Sequence, residues 1–247
     1  MQDLLSVENL SLKLGDRRIL SSVSFTLERG DFAVLCGRNG AGKSQLLRAL
    51  KGLIQPDSGR IVLDGVDLTK NRRERLKRMA LVFQDAQLQF VGETVEKDIA
   101  FGPLNLGWSR EEVESVREEV IAVMELDKVR RQRPASLSGG EKRRLAIAGV
   151  LAMRPDIIFL DEPFSALDYP STRLVLSSLV RLHQEGHTIL VVSHEVEKFL
   201  RHTTKVLIMN SGHMCGQYRP EESLDELRRA DVYVPSLPLE DFSWLQA

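Results

Sequence analysis

The chain has 247 residues, 43% of them apolar and 28% charged, with 34 Lys and Arg against 35 Asp and Glu. That balance excludes a disordered chain and gives no support to a nucleic-acid partner. Two cysteines, Cys36 and Cys215, cannot build a disulfide framework, so a reducing compartment is expected.

In chain order, Val7, Leu10, Leu12 and Leu14 lead into a Gly15-Asp16 turn, and Val23, Phe25 and Leu27 alternate with polar residues before Arg29-Gly30-Asp31. Such alternation predicts antiparallel strands with one buried face. The run from Phe32 to Cys36 is apolar throughout, as a strand covered on both faces would be. A glycine-rich loop follows it, then a helix over 44–53 and a short strand over 60–63. Ser109 with Glu112 has the pattern of a capping box, and Val113, Val116, Val120 and Val123 behind it repeat at helical spacing. A further helix is predicted from Glu141 to Ala152, ending before Arg154-Pro155. Residues 92–140 thus read as a helical lobe inserted into an α/β lobe. Beyond it come a strand (157–160), a helix (171–184), a strand (188–192), a helix from Glu195 and a strand (205–209). Strands alternating with helices predict a mostly parallel sheet. The division expected is one domain over 1–215 and a C-terminal extension over 216–247.

Gly37-Arg38-Asn39-Gly40-Ala41-Gly42-Lys43-Ser44 fits G-x-x-x-x-G-K-[ST] between a predicted strand and a predicted helix. Glycines let the backbone curl so that its N–H groups face phosphate oxygens, and the helix adds its positive end. Lys43 is the cation for the β- and γ-phosphates, and the Ser44 hydroxyl is a Mg²⁺ ligand. Ile157-Ile158-Phe159-Leu160-Asp161-Glu162 is an apolar strand ending in two acids at the sheet's carboxyl edge, where the phosphate loop also lies. Asp161 is placed to hold Mg²⁺, and Glu162, one residue on, to orient or deprotonate an attacking water. Leu137-Ser138-Gly139-Gly140-Glu141 begins a helix and bares further backbone donors, a second anion-binding end. If one chain cannot bring the two ends together, a second chain can, and a dimer then makes two shared sites.

With these motifs the sequence resembles the ATP-binding subunits of ABC transporters over residues 4 to 215. Leu137–Glu141 resembles the family signature, so the resemblance implies that Ser138, Gly139 and Gly140 bind the γ-phosphate of ATP held by the partner subunit. Gln84 in Leu81-Val82-Phe83-Gln84-Asp85 matches the Q-loop glutamine, which links Mg²⁺ and the γ-phosphate to the membrane partner. Ser165-Ala166-Leu167-Asp168 matches the D-loop at the dimer seam, and His194 matches the switch histidine that contacts the γ-phosphate. The implied fold is an ABC-type P-loop NTPase: an N-terminal antiparallel β subdomain, a mostly parallel core sheet and an inserted helical subdomain. Two positions depart from the family pattern. Leu14 stands where many members stack an aromatic ring on adenine, and Gln45 replaces the usual Thr after Ser44.

The stretch from Gln89 to Gly107 is similar to ATPases of energy-coupling-factor importers of the cobalt, nickel and biotin types. So are residues 146–153 and the tail from Ala230 to Leu239. That branch implies ATP and Mg²⁺ as cofactors. It implies as partners a second ATPase subunit, identical or paralogous, a transmembrane coupling protein and a small substrate-binding membrane protein, with a metal ion or vitamin imported. The chain is then expected on the cytoplasmic face of the cell membrane. Met1-Gln2-Asp3-Leu4 lacks a secretion signal's basic start, and no window approaches the ~18 apolar residues of a membrane span. Phe90 and Val91 are apolar residues beside Gln84, read either as a groove for a partner helix or as core. The basic run Arg72, Arg73, Arg75, Lys77, Arg78 reads first as a solvated helix face and second as a lipid contact. The rival readings are another ABC importer or exporter, or a soluble ABC ATPase of translation or DNA repair. A single nucleotide domain without sustained heptads weighs against the soluble one.

Overall fold

The computed structural model describes residues 3–245. Met1 and Gln2, at the start of the N-terminal stretch, and Gln246 and Ala247, at the end of the C-terminal extension, lie outside the described residues. Strands β1 (Asp3–Leu14) and β2 (Arg17–Glu28) form a hairpin around Gly15-Asp16. Strand β3 (Phe32–Cys36), helix α1 (Lys43–Lys51) and strands β4 (Ser58–Leu63) and β5 (Val66–Asp67) follow. Among the described residues, one antiparallel sheet runs β2-β1-β4-β5. The other elements in chain order are α2 (Arg72–Arg78), β6 (Met79–Val82), α3 (Val95–Asn105), α4 (Arg110–Val123), α5 (Gly139–Leu151), β7 (Ile157–Asp161), α6 (Tyr169–Gln184), β8 (Thr188–Val192), β9 (Lys205–Asn210), β10 (His213–Tyr218) and α7 (Pro220–Arg229). The second sheet runs β10-β9-β3-β8-β7-β6, parallel throughout except where β10 pairs with β9.

The uninterrupted apolar strands follow from this layering. Ala33, Leu35, Phe159, Leu190 and Leu207 point into one core, shared with α1 and the antiparallel sheet. Their neighbours Phe32, Val34, Leu160, Val191 and Ile208 point into the other, shared with α5 and α6. A strand with two apolar neighbours across its faces has no polar side, so period-2 alternation disappears from its sequence. The helical insert lies between β6 and β7. Its capping box is formed: the Ser109 hydroxyl accepts from the Glu112 N–H at 3.2 Å, and the Glu112 carboxylate accepts from the Ser109 N–H at 2.8 Å. Val113, Val116 and Val120 are buried beneath it.

Two expectations change. The helix from Glu195 is instead a pair of single 3-10 turns, Val196–Lys198 and Leu200–His202. Phe199 between them adopts φ −153°, which lets its ring lie fully buried against Phe164 and Phe32, with centroids 5.1 and 6.1 Å away. Burial of one aromatic outweighs a few helical hydrogen bonds. The basic run is a solvated face only in part. Arg75 is fully buried and donates to the carbonyls of Ala49 and Thr69 and to the Gln55 side chain at 2.6, 3.1 and 3.0 Å. Arg72 donates to the Gly52 carbonyl at 2.9 Å, and Arg78 pairs with Asp156 at 2.6 Å. Arg75 and Arg72 thus engage carbonyls at the end of α1, Ala49 and its cap Gly52, where helix carbonyls need partners and attract positive charge. Arg72, Arg73 and Lys77 are exposed, Arg78 is half-buried and Arg75 is buried.

The C-terminal segment is part of the same body: Leu227, Val232, Val234 and Phe242 join the core that holds Phe32 and Leu160. No helix among the described residues is long and apolar enough to cross a membrane. Replacing Arg75 by Ala removes a fully buried side chain and its three hydrogen bonds and is expected to cost about 3 kcal/mol of stability in urea denaturation. Arg73→Ala, on the exposed side of the same helix, is expected to change it by less than about 0.5 kcal/mol.

Candidate functional site

At the carboxyl edge of the parallel sheet the chain leaves β3 through Gly37. This residue has φ 138°, and a Cβ here would lie 1.9 Å from the Met209 carbonyl oxygen, so only glycine fits. The loop then curls around Lys43, whose Nζ donates to the carbonyls of Gly37 and Arg38 at 2.6 and 3.1 Å. Burial lowers the pKa of the Lys43 ammonium, while Glu162 and Asp161 nearby favour its charged form. Beside the loop lies a cleft of about 380 Å³. Asn39, Gly40, Ala41, Gly42, Lys43, Ser44 and Gln45 line it from the loop side. Gly37 and Arg38 lie behind the loop instead, and Arg38 pairs with Asp231 at 3.1 Å.

The opposite wall is built from strand ends. The Ser44 hydroxyl donates to Asp161 Oδ1 at 3.1 Å. Burial raises the Asp161 pKa, opposed by the Ser44 hydrogen bond and by Arg48, Lys43 and Arg143. Glu162 takes φ 47°, a left-handed conformation uncommon for a residue with a side chain, and its N–H donates to the Val192 carbonyl at 2.9 Å. This turn carries its carboxylate to His194, whose Nδ1 lies 3.0 Å from Oε1. Against an ionised carboxylate that nitrogen carries the hydrogen, leaving Nε2 open. Oε2 of Glu162 is buried without a partner, as is the side-chain oxygen of Gln45. Gln84, two residues past β6, also lines the cleft.

The other motif residues gather elsewhere. Ser138, Gly139, Gly140 and Asp168 do not line the cleft. Ser138 caps α5 in a capping box with Glu141, and Asp168 caps α6 by accepting from the Ser171 N–H at 2.9 Å; the Ser171 hydroxyl and N–H together hold its carboxyl below the usual range. The ends of these two helices touch: a Cβ on Gly140 would lie 2.8 Å from Ser171 Cβ. The sequence offers no way to foresee that Gly140 is needed for helix contact as well as for bare N–H groups. Nor does it single out Arg143. This buried residue of α5 donates to the carbonyls of Phe83 and Gln84 at 2.8 Å each, tying the signature helix to the Q-loop.

Leu14 is not brought to the cleft. It sits 42% exposed at the end of β1, whereas Arg17 and Ile19 of β2 line the site. The reason is sheet order: β2 is the edge strand, and the Ile19 carbonyl comes within 3.0 Å of a Cβ built on Gly42.

What this cleft is built to hold is a polyphosphate against the loop with hard oxygen donors beyond it, which defines a P-loop nucleotide-binding protein. The ABC transporter family model matches residues 20–165, and the chain belongs to that family as an ATP-hydrolysing, ATP-binding subunit. It is 39% identical over 218 residues to the energy-coupling factor transporter ATP-binding protein EcfA2 of Clostridium tetani, covering 86% of this chain and 76% of that protein. It is 39% identical over 226 residues to the cobalt import ATP-binding protein CbiO of Syntrophus aciditrophicus, covering 90% and 80%. Among solved structures, cbiO1 from Clostridium perfringens, part of the ABC transporter complex cbiONQ, superposes with a TM-score of 0.82 at 28% identity, covering 93% of this chain and 96% of that one.

Gly140→Ala is expected to lower the thermal unfolding midpoint through overpacking against Ser171, by about 1–3 kcal/mol of stability. Adding Ser171→Gly removes the clashing atoms and is expected to recover part of the loss, read in the same melting assay.

Proposed function

We propose that this chain is the ATPase motor of an energy-coupling-factor-type importer, working as one of a pair on the cytoplasmic face of a membrane. The observation that carries the reading is that the motif residues fall into two groups on separate surfaces of the chain: the cleft beside Lys43, and the α5–α6 ends bearing Ser138 to Gly140 and Asp168. A second subunit, identical or paralogous, related by a two-fold axis would set each cleft against the partner's helix ends and complete two sites at once. On this reading the domain spans 1–215, with the helical lobe at 92–140 and the remaining residues as an extension.

In that arrangement the loop from Gly37 to Gln45 and Lys43 hold the phosphates of ATP. Ser44, Asp161 and Gln84 are the donors suited to Mg²⁺. They fit it because they are hard oxygens lining one cleft, and phosphate oxygens would complete the set. The bound ion supplies charge neutralisation along the phosphates. Glu162 accepts a proton from water through its unpartnered oxygen, and His194 holds the carboxylate in place while presenting Nε2 to the γ-phosphate.

A groove of about 290 Å³ between α3 and α5 supports the coupling part of the proposal. Phe90, Phe101, Leu106 and Met153 line it, and Leu88, Val91 and Leu104, close to its lining residues in sequence, are exposed at 78%, 62% and 53%. Phe90 also packs against the core. An apolar groove of this kind takes the helix of a membrane coupling protein, which works with a small membrane protein that captures a metal ion or vitamin.

Glu162→Gln is expected to keep ATP affinity within about threefold while steady-state phosphate release falls about 10²-fold or more; full turnover would remove Glu162 as base. Val91→Asp with Phe101→Asp is expected to leave ATP binding intact while abolishing co-purification of membrane partners from detergent extracts.

A further inference from the structure

The position that carries an aromatic base platform in many relatives is Leu14, and it does not reach the cleft. Apart from the imidazole of His194, held by Glu162, the cleft's lining residues include no aromatic ring. A nucleoside triphosphate bound there would need another flat partner for its base. Arg17 stands directly across the hairpin from Leu14 and lines the cleft together with Ile19, two residues on along the same strand face. Its guanidinium is exposed and has no ion-pair partner among the described residues, so nothing within the described chain competes for it. Both residues belong to the antiparallel sheet, whereas Asp161, Glu162 and His194 follow β7 and β8 of the parallel sheet. With the terminal phosphate at the parallel-sheet side, the base falls at the β2 side.

We infer that Arg17 is the base platform of this site: its planar guanidinium stacks on the face of the purine, and Ile19 supplies the apolar contact beside it. A guanidinium is planar, delocalised and weakly hydrated and stacks flat on an aromatic face, where a strongly hydrated ammonium makes only a point contact. The inference rests on the nucleoside triphosphate reading of the cleft. Since stacking needs the base and an ion pair needs only phosphate, the two roles for Arg17 separate cleanly.

The experiment measures dissociation constants of the full chain for Mg-ATP and for Mg-tripolyphosphate, which lacks a base, by titration calorimetry. Wild type is compared with Arg17→Ala and Arg17→Lys, all checked for an unchanged unfolding midpoint. Stacking predicts that both variants bind ATP about tenfold more weakly and bind tripolyphosphate within about twofold of wild type. Arg17→Lys binding ATP like wild type, equal weakening of both ligands by Arg17→Ala, or no effect of either variant would each overturn the inference. A wild-type chain that binds neither ligand would overturn the nucleotide reading itself, a result distinct from the other three.

Discussion

Five residues without a polar side chain, Phe32 to Cys36, alternate between two hydrophobic cores, and the chemistry of the molecule is arranged around where that strand has to stop. A central parallel strand needs cover on both faces, which brings α1 back between the two sheets and α5 and α6 onto the far side. The turn from strand to helix is forced through Gly37, against the Met209 carbonyl of the neighbouring β9. Because β7 and β8 run parallel to β3, their ends arrive at the same edge. Asp161, Glu162 and His194 therefore meet the loop although they lie more than a hundred residues away from it in sequence.

The second organising contact is Arg143. Its forked donors engage two successive carbonyls, so the backbone at Gln84 and the start of α5 resist sliding past one another. At its other side α5 meets α6 through Gly140 and Ser171. Gln84 in the cleft, the exposed apolar groove and the signature helix are thus joined by short, buried contacts. At the far end of α1, Arg75 and Arg72 bind its terminal carbonyls and anchor the helix whose first turn holds Lys43 and Ser44.

Local patterns were legible where local physics decides. The span of β8 matches its apolar run, and the capping box at Ser109 forms as its residue types require. The phosphate loop and the Asp161–Glu162 strand end were readable from residue type and from their place after apolar strands, and His194 through its match to the family's switch histidine. The failures share a cause. The basic run 72–78 has the composition of a surface helix, yet which of its cations turn inward depends on α1 ending beside it. The segment after Glu195 has helical composition, yet Phe199 is drawn into a cavity between Phe32 and Phe164.

By itself the sequence determined which chemistry this chain carries. A glycine loop ending in Lys-Ser, paired acids after an apolar strand and a capped Ser-Gly-Gly helix start each act through their own backbone or through residues one to four positions away. Only the tertiary structure decided which of these groups share a surface. Sheet order sends Arg17 rather than Leu14 to the cleft, and helix contact places Ser138 to Gly140 with Asp168 apart from Lys43. Those juxtapositions come from burying two cores at once, a constraint of the whole chain that no short window contains.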